Sequence, residues 1–196
     1  MKARCFALAV ALVLMLPAVG TAEPSNKVTI CHRPPGNPGN VQLLTVSVNA
    51  LPDHLAHGDH LSFGGYCYSV EPNDLQYATS EQACIDLYGG HLASIHSQAE
   101  NDFVGALVDP DSTCQRTARI GGYAQGGFCL GPNASYTWSD GTAWDYWHWR
   151  GTTWEPNCTG TPGSTQFWPD TCDYFAGWND TPVGDPLDFF VCKYQP

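Results

Sequence analysis

The sequence predicts an α+β fold in which helices come first and short strands with long loops follow. Three observations predict it. Two helix-opening boxes, Thr79-Ser80-Glu81-Gln82 and Ser97-Gln98-Ala99-Glu100, fall near the middle of the chain, and beyond Asp109 the helix signals stop. Of the 196 residues, 43% are apolar and 14% charged, with 20 Gly and 15 Pro, which suits a packed core under long loops rather than a helical bundle. Nine cysteines are present, and eight remain once an N-terminal leader is set aside, an even number suited to disulfides.

The elements follow in chain order. Met1-Lys2-Ala3-Arg4 is a basic start, Cys5 to Val19 is apolar without a charge, and Gly20-Thr21-Ala22 offers the small residues of a cleavage site. This is the grammar of a secretory signal peptide over residues 1–22, and the apolar run is short for a membrane span. Residues 23–61 form a His-rich mini-unit. Val28-Thr29-Ile30 and Val41 to Val48 read as two short strands around the Pro/Gly/Asn turn at 34–40. Pro52 suits the first turn of a short helix and Gly58 its end. About forty residues make a poor independent core, so this is an appended unit.

Residues 62–196 form the main domain. Tyr66 to Val70 alternates like a strand. The first box opens a helix that runs to Tyr88 and stops at Gly89-Gly90, Leu92 to Ile95 is a short strand, and the second box opens a helix carrying Phe103, Val104, Leu107 and Val108 on one face. Ile120, Tyr136-Thr137-Trp138 and Phe189-Phe190-Val191 read as later strands.

Charge excludes some functions. The net charge is −11, and −13 without Lys2 and Arg4, so phosphate backbones are repelled and nucleic acid is not an expected partner. Dinucleotide and P-loop chemistry lack their Gly-rich signatures, and no Gly-x-Ser-x-Gly or His-Glu-x-x-His arranges a hydrolase, so the chain reads as no enzyme.

Tyr66-Cys67-Tyr68, Ala83-Cys84, Gly89-Gly90-His91-Leu92-Ala93-Ser94-Ile95, Trp138-Ser139-Asp140-Gly141, Glu155-Pro156-Asn157, Trp178-Asn179-Asp180 and Val191-Cys192 occur in this order. The set resembles the C-type lectin-like domain. The resemblance implies two helices, short antiparallel sheets, paired termini and a long loop region that carries ligands, all stapled by disulfides. It also implies calcium coordination by hard oxygens. Glu155, Asn157, Asn179 and Asp180 would supply these from two loop segments, with Pro156 in the cis form, and Asp170, two residues before Cys172, stands where the family places a further acidic ligand. Glu-Pro-Asn is similar to the order in members that take mannose-like sugars, whose vicinal hydroxyls complete the coordination of Ca²⁺. The resemblance thus implies a secreted, calcium-dependent glycan-binding module; no coiled coil or collagen-like stretch builds multivalency, so avidity would need a partner or self-association. The scaffold is also used for calcium-independent protein or surface contacts, which is the competing function.

Cys84–Cys192 resembles the family's fold-closing disulfide. Val183 stands where the family usually has a Cys that would pair Cys172, so Cys158–Cys172 is expected instead; Cys114–Cys129 would clamp the segment around Ile120, leaving Cys31–Cys67. Of the Asn-x-Ser/Thr sequences, only the one at Asn133 is compatible with calcium ligation by Asn157 and Asn179.

The His-rich segment resembles a stretch recurring in secreted bacterial proteins. Cys31, His32, His54, His57, Asp59 and His60 crowd it, and His54 and His57 are three apart on the expected helix. A transition-metal site of Cys31, His54 and His57 is one reading; solvated histidines on a disulfide-tethered unit is the other, since the spacing matches no strong zinc pattern.

Overall fold

The computed structural model describes residues 26–124, 136–151, 155–157, 163–171 and 176–196. The leader at 1–22, Asn133, Cys129, Cys158 and Cys172 lie outside them, so the cleavage site and the Cys158–Cys172 and Cys114–Cys129 pairings fall outside as well. Cys114 is disulfide-bonded. Cys31–Cys67 and Cys84–Cys192 both form, with Cα atoms 5.8 and 5.4 Å apart.

The strands are β1 (Lys27–His32), β2 (Gln42–Ser47), β3 (His60–Phe63), β4 (Tyr66–Leu75), β5 (His91–Leu92), β6 (Ala118–Ala124), β7 (Tyr136–Trp138), β8 (Gly163–Trp168), β9 (Gly177–Pro182) and β10 (Leu187–Tyr194). The helices are α1 (Leu51–Ala56), α2 (Tyr77–Tyr88) and α3 (Gln98–Val108). The strands join in the order β2-β1-β3-β4-β10-β6-β8-β9, with β5 on β10 and β7 on β6. All pairs are antiparallel except the short β10–β6 contact.

The N-terminal unit continues this sheet. β3 pairs β1 on one side and β4 on the other, and the Cys31–Cys67 bridge ties the same strands. His60 Nδ1 meets the Tyr194 hydroxyl at 2.6 Å, and Tyr88 stacks on Tyr194.

Both helix boxes were expected as starts, and one is. Ser97 caps α3, its hydroxyl accepting from the Glu100 N–H at 3.2 Å; Glu100 returns a bond to the His96 N–H at 2.8 Å. At α2 the cap is Gln76, and the Thr79 and Ser80 hydroxyls donate to the Gln76 carbonyl at 2.9 Å each. Those hydroxyls bond backward into the first turn, so the helix begins ahead of the box.

Gly89-Gly90 has two separate reasons. Gly89 ends α2 at φ 66°, a left-handed position that glycine fills without strain. Gly90 lies against β10, where a Cβ would strike the Lys193 carbonyl and come within 2.5 Å of Tyr194 Cβ.

The core gathers Tyr68, Ile95, Val104, Val108, Ile120, Trp138, Phe167, Trp178 and Val191 between α3 and the sheet. Trp138 and Trp178 are packing residues here, stacked edge-on with Trp144 and Trp149 nearby. One charged network is buried with them: Lys193 Nζ lies 2.7 Å from Glu100 Oε1, which also accepts from the Tyr68 hydroxyl at 2.5 Å.

Candidate functional site

β9 is where the second expected ligand segment falls. The resemblance implies a loop there, but Asn179 and Asp180 lie within a strand paired to β8, in the register Gln166↔Asn179 and Thr165↔Asp180. Successive strand side chains face opposite ways. Asn179 accordingly donates its amide to Gln166 Oε1 at 3.2 Å and to the Asp180 carbonyl at 3.0 Å, while Asp180 is buried on the other side.

Glu155 and Asp180 come together from the two segments. The Glu155–Pro156 bond is cis, as the resemblance implies. The Asn157 N–H donates to Asp180 Oδ1 at 2.8 Å and to Glu155 Oε2 at 3.1 Å. Burial pushes the Glu155 carboxyl above its ordinary range, and the neighbouring Asp180 carboxylate pushes the same way. Arg150 offsets part of this charge, with its guanidinium 3.5 Å from Glu155 Oε1. Arg150 is positioned through the backbone, since its N–H donates to the Trp178 carbonyl at 2.8 Å while the Trp178 N–H donates to His148 O.

Tyr136 completes the surroundings. Its hydroxyl is buried without a hydrogen-bond partner among the described residues, and burial with Asp180 and Glu155 nearby raises its pKa. A Cβ at Gly163 would lie 3.0 Å from that hydroxyl and 3.7 Å from Asp180 Oδ2, so glycine keeps both oxygens close to open backbone. Two carboxylates, an amide-bearing loop and an orphaned hydroxyl form a hard-oxygen set, and two negative charges face one guanidinium. That set fits a divalent cation such as calcium.

Asp170 does not join it. It lies past the far end of β8 from the level of Thr165 and Asp180, and the three strand residues between already span roughly 10 Å at about 3.3 Å per residue. Its carboxylate is bonded to His148 Nε2 at 2.9 Å, Gln98 Nε2 at 3.1 Å and Asn101 Nδ2 at 3.3 Å. Burial alone would raise this carboxyl, but those bonds hold it below the ordinary range. The strand Gly163–Trp168, absent from the sequence reading, occupies the place between the two ligand segments and carries Asp170 away.

The Cys31, His54, His57 grouping is corrected in one member. The Cys31 sulfur is bonded to Cys67 and is not a thiolate ligand. His54 and His57 do meet, and His32 and Asp59 complete the group. Cys31 and His32 are neighbours on β1 and face opposite sides, so only one of them can turn toward α1.

The strand order, the buried tryptophans and the cis Glu-Pro segment define a lectin-type α+β domain. The chain is 33% identical over 144 residues to a lectin of Pleurodeles waltl, covering 67% of this chain and 71% of that protein. Its fold matches the C-type carbohydrate-recognition domain of cow CD23, solved with a GlcNAc2Man3 oligosaccharide, at TM-score 0.51 and 25% identity over 68% of this chain and 91% of that one. It also matches a calcium-independent type II antifreeze protein at TM-score 0.51 and 26% identity, over 67% and 88%. No family profile matches the chain. The chain belongs to the C-type lectin-like family. These relatives are lectins and lectin-fold proteins, not enzymes, in line with the non-enzymatic reading. Among the described residues no helix is long and apolar enough to cross a membrane.

Proposed function

We propose that this is a secreted, calcium-dependent carbohydrate-binding module of mannose type, formed by residues 62–196 behind a leader at 1–22 and the mini-unit at 23–61. The observation that carries the reading is the meeting of Glu155 and Asp180 on one N–H, that of Asn157, at 3.1 and 2.8 Å. Glu155, Asn157 and Asp180 would hold the ion, while Asn179 faces the other side of β9 and is engaged by Gln166. Calcium, when bound, supplies coordination positions that vicinal sugar hydroxyls can fill. The protein side is hydrogen bonding: the Glu155 carboxylate accepts from one hydroxyl and the Asn157 amide donates to its neighbour. Asp170 takes no part, because His148, Gln98 and Asn101 occupy it. A single shallow site gives roughly millimolar affinity, about −4 kcal/mol, so useful binding needs several copies through self-association.

A second reading has its own observation. Arg150 already places a cation 3.5 Å from Glu155, so the same loop can be held without metal and serve a calcium-independent contact. Retention on a mannose column with calcium, its loss on chelation, and its loss in Asp180→Asn would support the first reading. Retention that survives chelator, or wild-type protein that takes up no calcium by calorimetry, would overturn it.

A further inference from the structure

We infer that His32, His54, His57 and Asp59 form a zinc site that fastens α1 to β1, independent of the carbohydrate reading. The four donor atoms all lie within 4.8 Å of one another. Three ring nitrogens converge on a single oxygen: His32 Nδ1 at 2.8 Å, His54 Nδ1 at 2.8 Å and His57 Nε2 at 3.0 Å, all to Asp59 Oδ2. A carboxylate oxygen offers about two lone-pair directions, so three N–H donors overfill it. An ion at the focus resolves the conflict, because each imidazole then presents a lone pair inward and the carboxylate supplies the charge.

The geometry suits a small tetrahedral cation. Zinc bonds of about 2.0–2.1 Å to nitrogen and oxygen imply ligand–ligand edges of roughly 3.3 Å. The nitrogen–oxygen edges of the cluster, at 2.8–3.0 Å, are a few tenths of an ångström inside that, while donor atoms stand up to 4.8 Å apart, so the partly exposed rings would close around the ion on binding. The His32, His54 and His57 side chains are 21%, 22% and 39% exposed, whereas Asp59 is wholly buried. Imidazole with one carboxylate is a borderline donor set that favours zinc over calcium or magnesium. With four protein ligands and no open position, the site is structural and not catalytic.

The frame is prepared for it. The free oxygen of Asp59, Oδ1, accepts from the Arg33 N–H at 2.8 Å, which fixes the carboxylate from behind. The Asp59 N–H donates to the His54 carbonyl at 3.1 Å, tying the end of α1 to the start of β3. His32 sits beside the Cys31–Cys67 bridge, so the strand that carries it is anchored covalently. Ligands thus come from a strand, a helix and its C-cap, and the residue entering the next strand. The spacing from His32 to His54 is set by the intervening hairpin, which is why it matches no short zinc motif.

The test uses the full mature chain, stripped with chelator and titrated with zinc chloride alone by calorimetry, with metal content measured in parallel. One zinc per chain is expected, with a rise in melting temperature and, on cobalt substitution, the visible ligand-field bands of a tetrahedral site. His54→Ala and His57→Ala should each weaken zinc binding by about 100-fold or more, while Asp180→Asn leaves it unchanged and so separates this site from the calcium proposal. Near-UV circular dichroism verifies that each variant is folded; His57, the most exposed ligand, gives the variant least prone to unfold. Wild-type protein that takes up no zinc, or uptake that persists undiminished in folded His57→Ala and His54→Ala, overturns the assignment.

Discussion

Replacing Glu100 by Gln isolates the charge buried in this core. Glu100 and Lys193 are 5% and 9% exposed, and their contact at 2.7 Å joins α3 to β10. The carboxylate accepts three bonds, from Lys193 and Tyr68 on one oxygen and from the His96 N–H on the other. A Gln oxygen can replace one side of this set, but its NH₂ must then face either the ammonium or an amide N–H. If the Gln oxygen turns to the His96 N–H, Lys193 keeps Ser94 as its acceptor among the described residues, at 3.0 Å to the carbonyl and 3.4 Å to the hydroxyl. Removing one partner of a buried pair costs about 3–5 kcal/mol, including the donor left unsatisfied. About 4 kcal/mol is expected, a large part of the ~5–15 kcal/mol that domains possess. Equilibrium unfolding in urea with disulfides intact measures it, and a double-mutant cycle with Lys193→Met and Glu100→Met sharpens it. The double variant should be less destabilised than the sum of the singles by about 2 kcal/mol, since two apolar replacements leave no stranded charge. A loss below about 1 kcal/mol for Glu100→Gln, or strict additivity in the cycle, refutes the argument.

Two further outcomes are expected. Gly90→Ala should destabilise the domain by at least about 2 kcal/mol, because its Cβ meets β10 backbone that cannot yield; wild-type stability in urea would show that the Gly90–β10 contact relaxes freely. The Glu155 carboxyl is raised above 4.5 in the native state by burial and Asp180, so this group's contribution to the metal-free protein's stability is present below 4.5 and is lost as pH rises through the raised value. That sign is opposite to that of the lowered Asp59 and Asp170, so the contribution is read as the difference between wild type and Glu155→Gln. Calcium affinity should run the opposite way, rising with pH across the same window, and Glu155→Gln should flatten both dependences in calorimetric melts taken with and without calcium.

Local signals were legible in the sequence where one residue type answers one local demand. Ser97 caps α3 because its hydroxyl has an orphaned N–H to satisfy, and Gly89 ends α2 because only the left-handed region closes that turn. The paired Cys84–Cys192 and Cys31–Cys67 were legible too, the first through a family pattern and the second by what remained. What escaped depends on partners distant in sequence. β3 is four residues long, and its strand character comes from pairing β1 and β4 at once. β8 has little hydrophobic alternation to announce it, and its pairing with β9 is what turns Trp-Asn-Asp into strand. Once that register exists, Asn179 and Asp180 cannot both face one side, and Asp170 is carried beyond the strand's other end. The transition-metal grouping of Cys31, His54 and His57 missed in the same way: the Cys31 sulfur is taken by Cys67, and the twofold alternation of β1 turns His32 to the His54, His57 and Asp59 group instead.

The balance between the two functional readings rests on charge around Glu155. Among the described residues two carboxylates and the Arg150 guanidinium meet there, and burial makes the charge on Glu155 costly. Without metal, part of that cost is relieved by keeping Glu155 protonated, which is the direction in which its pKa moves. A divalent ion would relieve it by attraction to both carboxylates, displacing the proton. On the calcium proposal, Arg150 would compete with the ion at Glu155, while Asp180 accepts from the Asn157 N–H. The tyrosine beneath points the same way: the Tyr136 hydroxyl is close enough to both carboxylates for their charge to raise its pKa, yet it has no hydrogen-bond partner among the described residues. A loop evolved only for a metal-free contact would gain from a second cation or an apolar residue at Asp180. An acid at a buried strand position opposite Thr165, beside another acid on a cis-proline turn, is an arrangement that a hard cation would stabilise, which is what the calcium proposal requires.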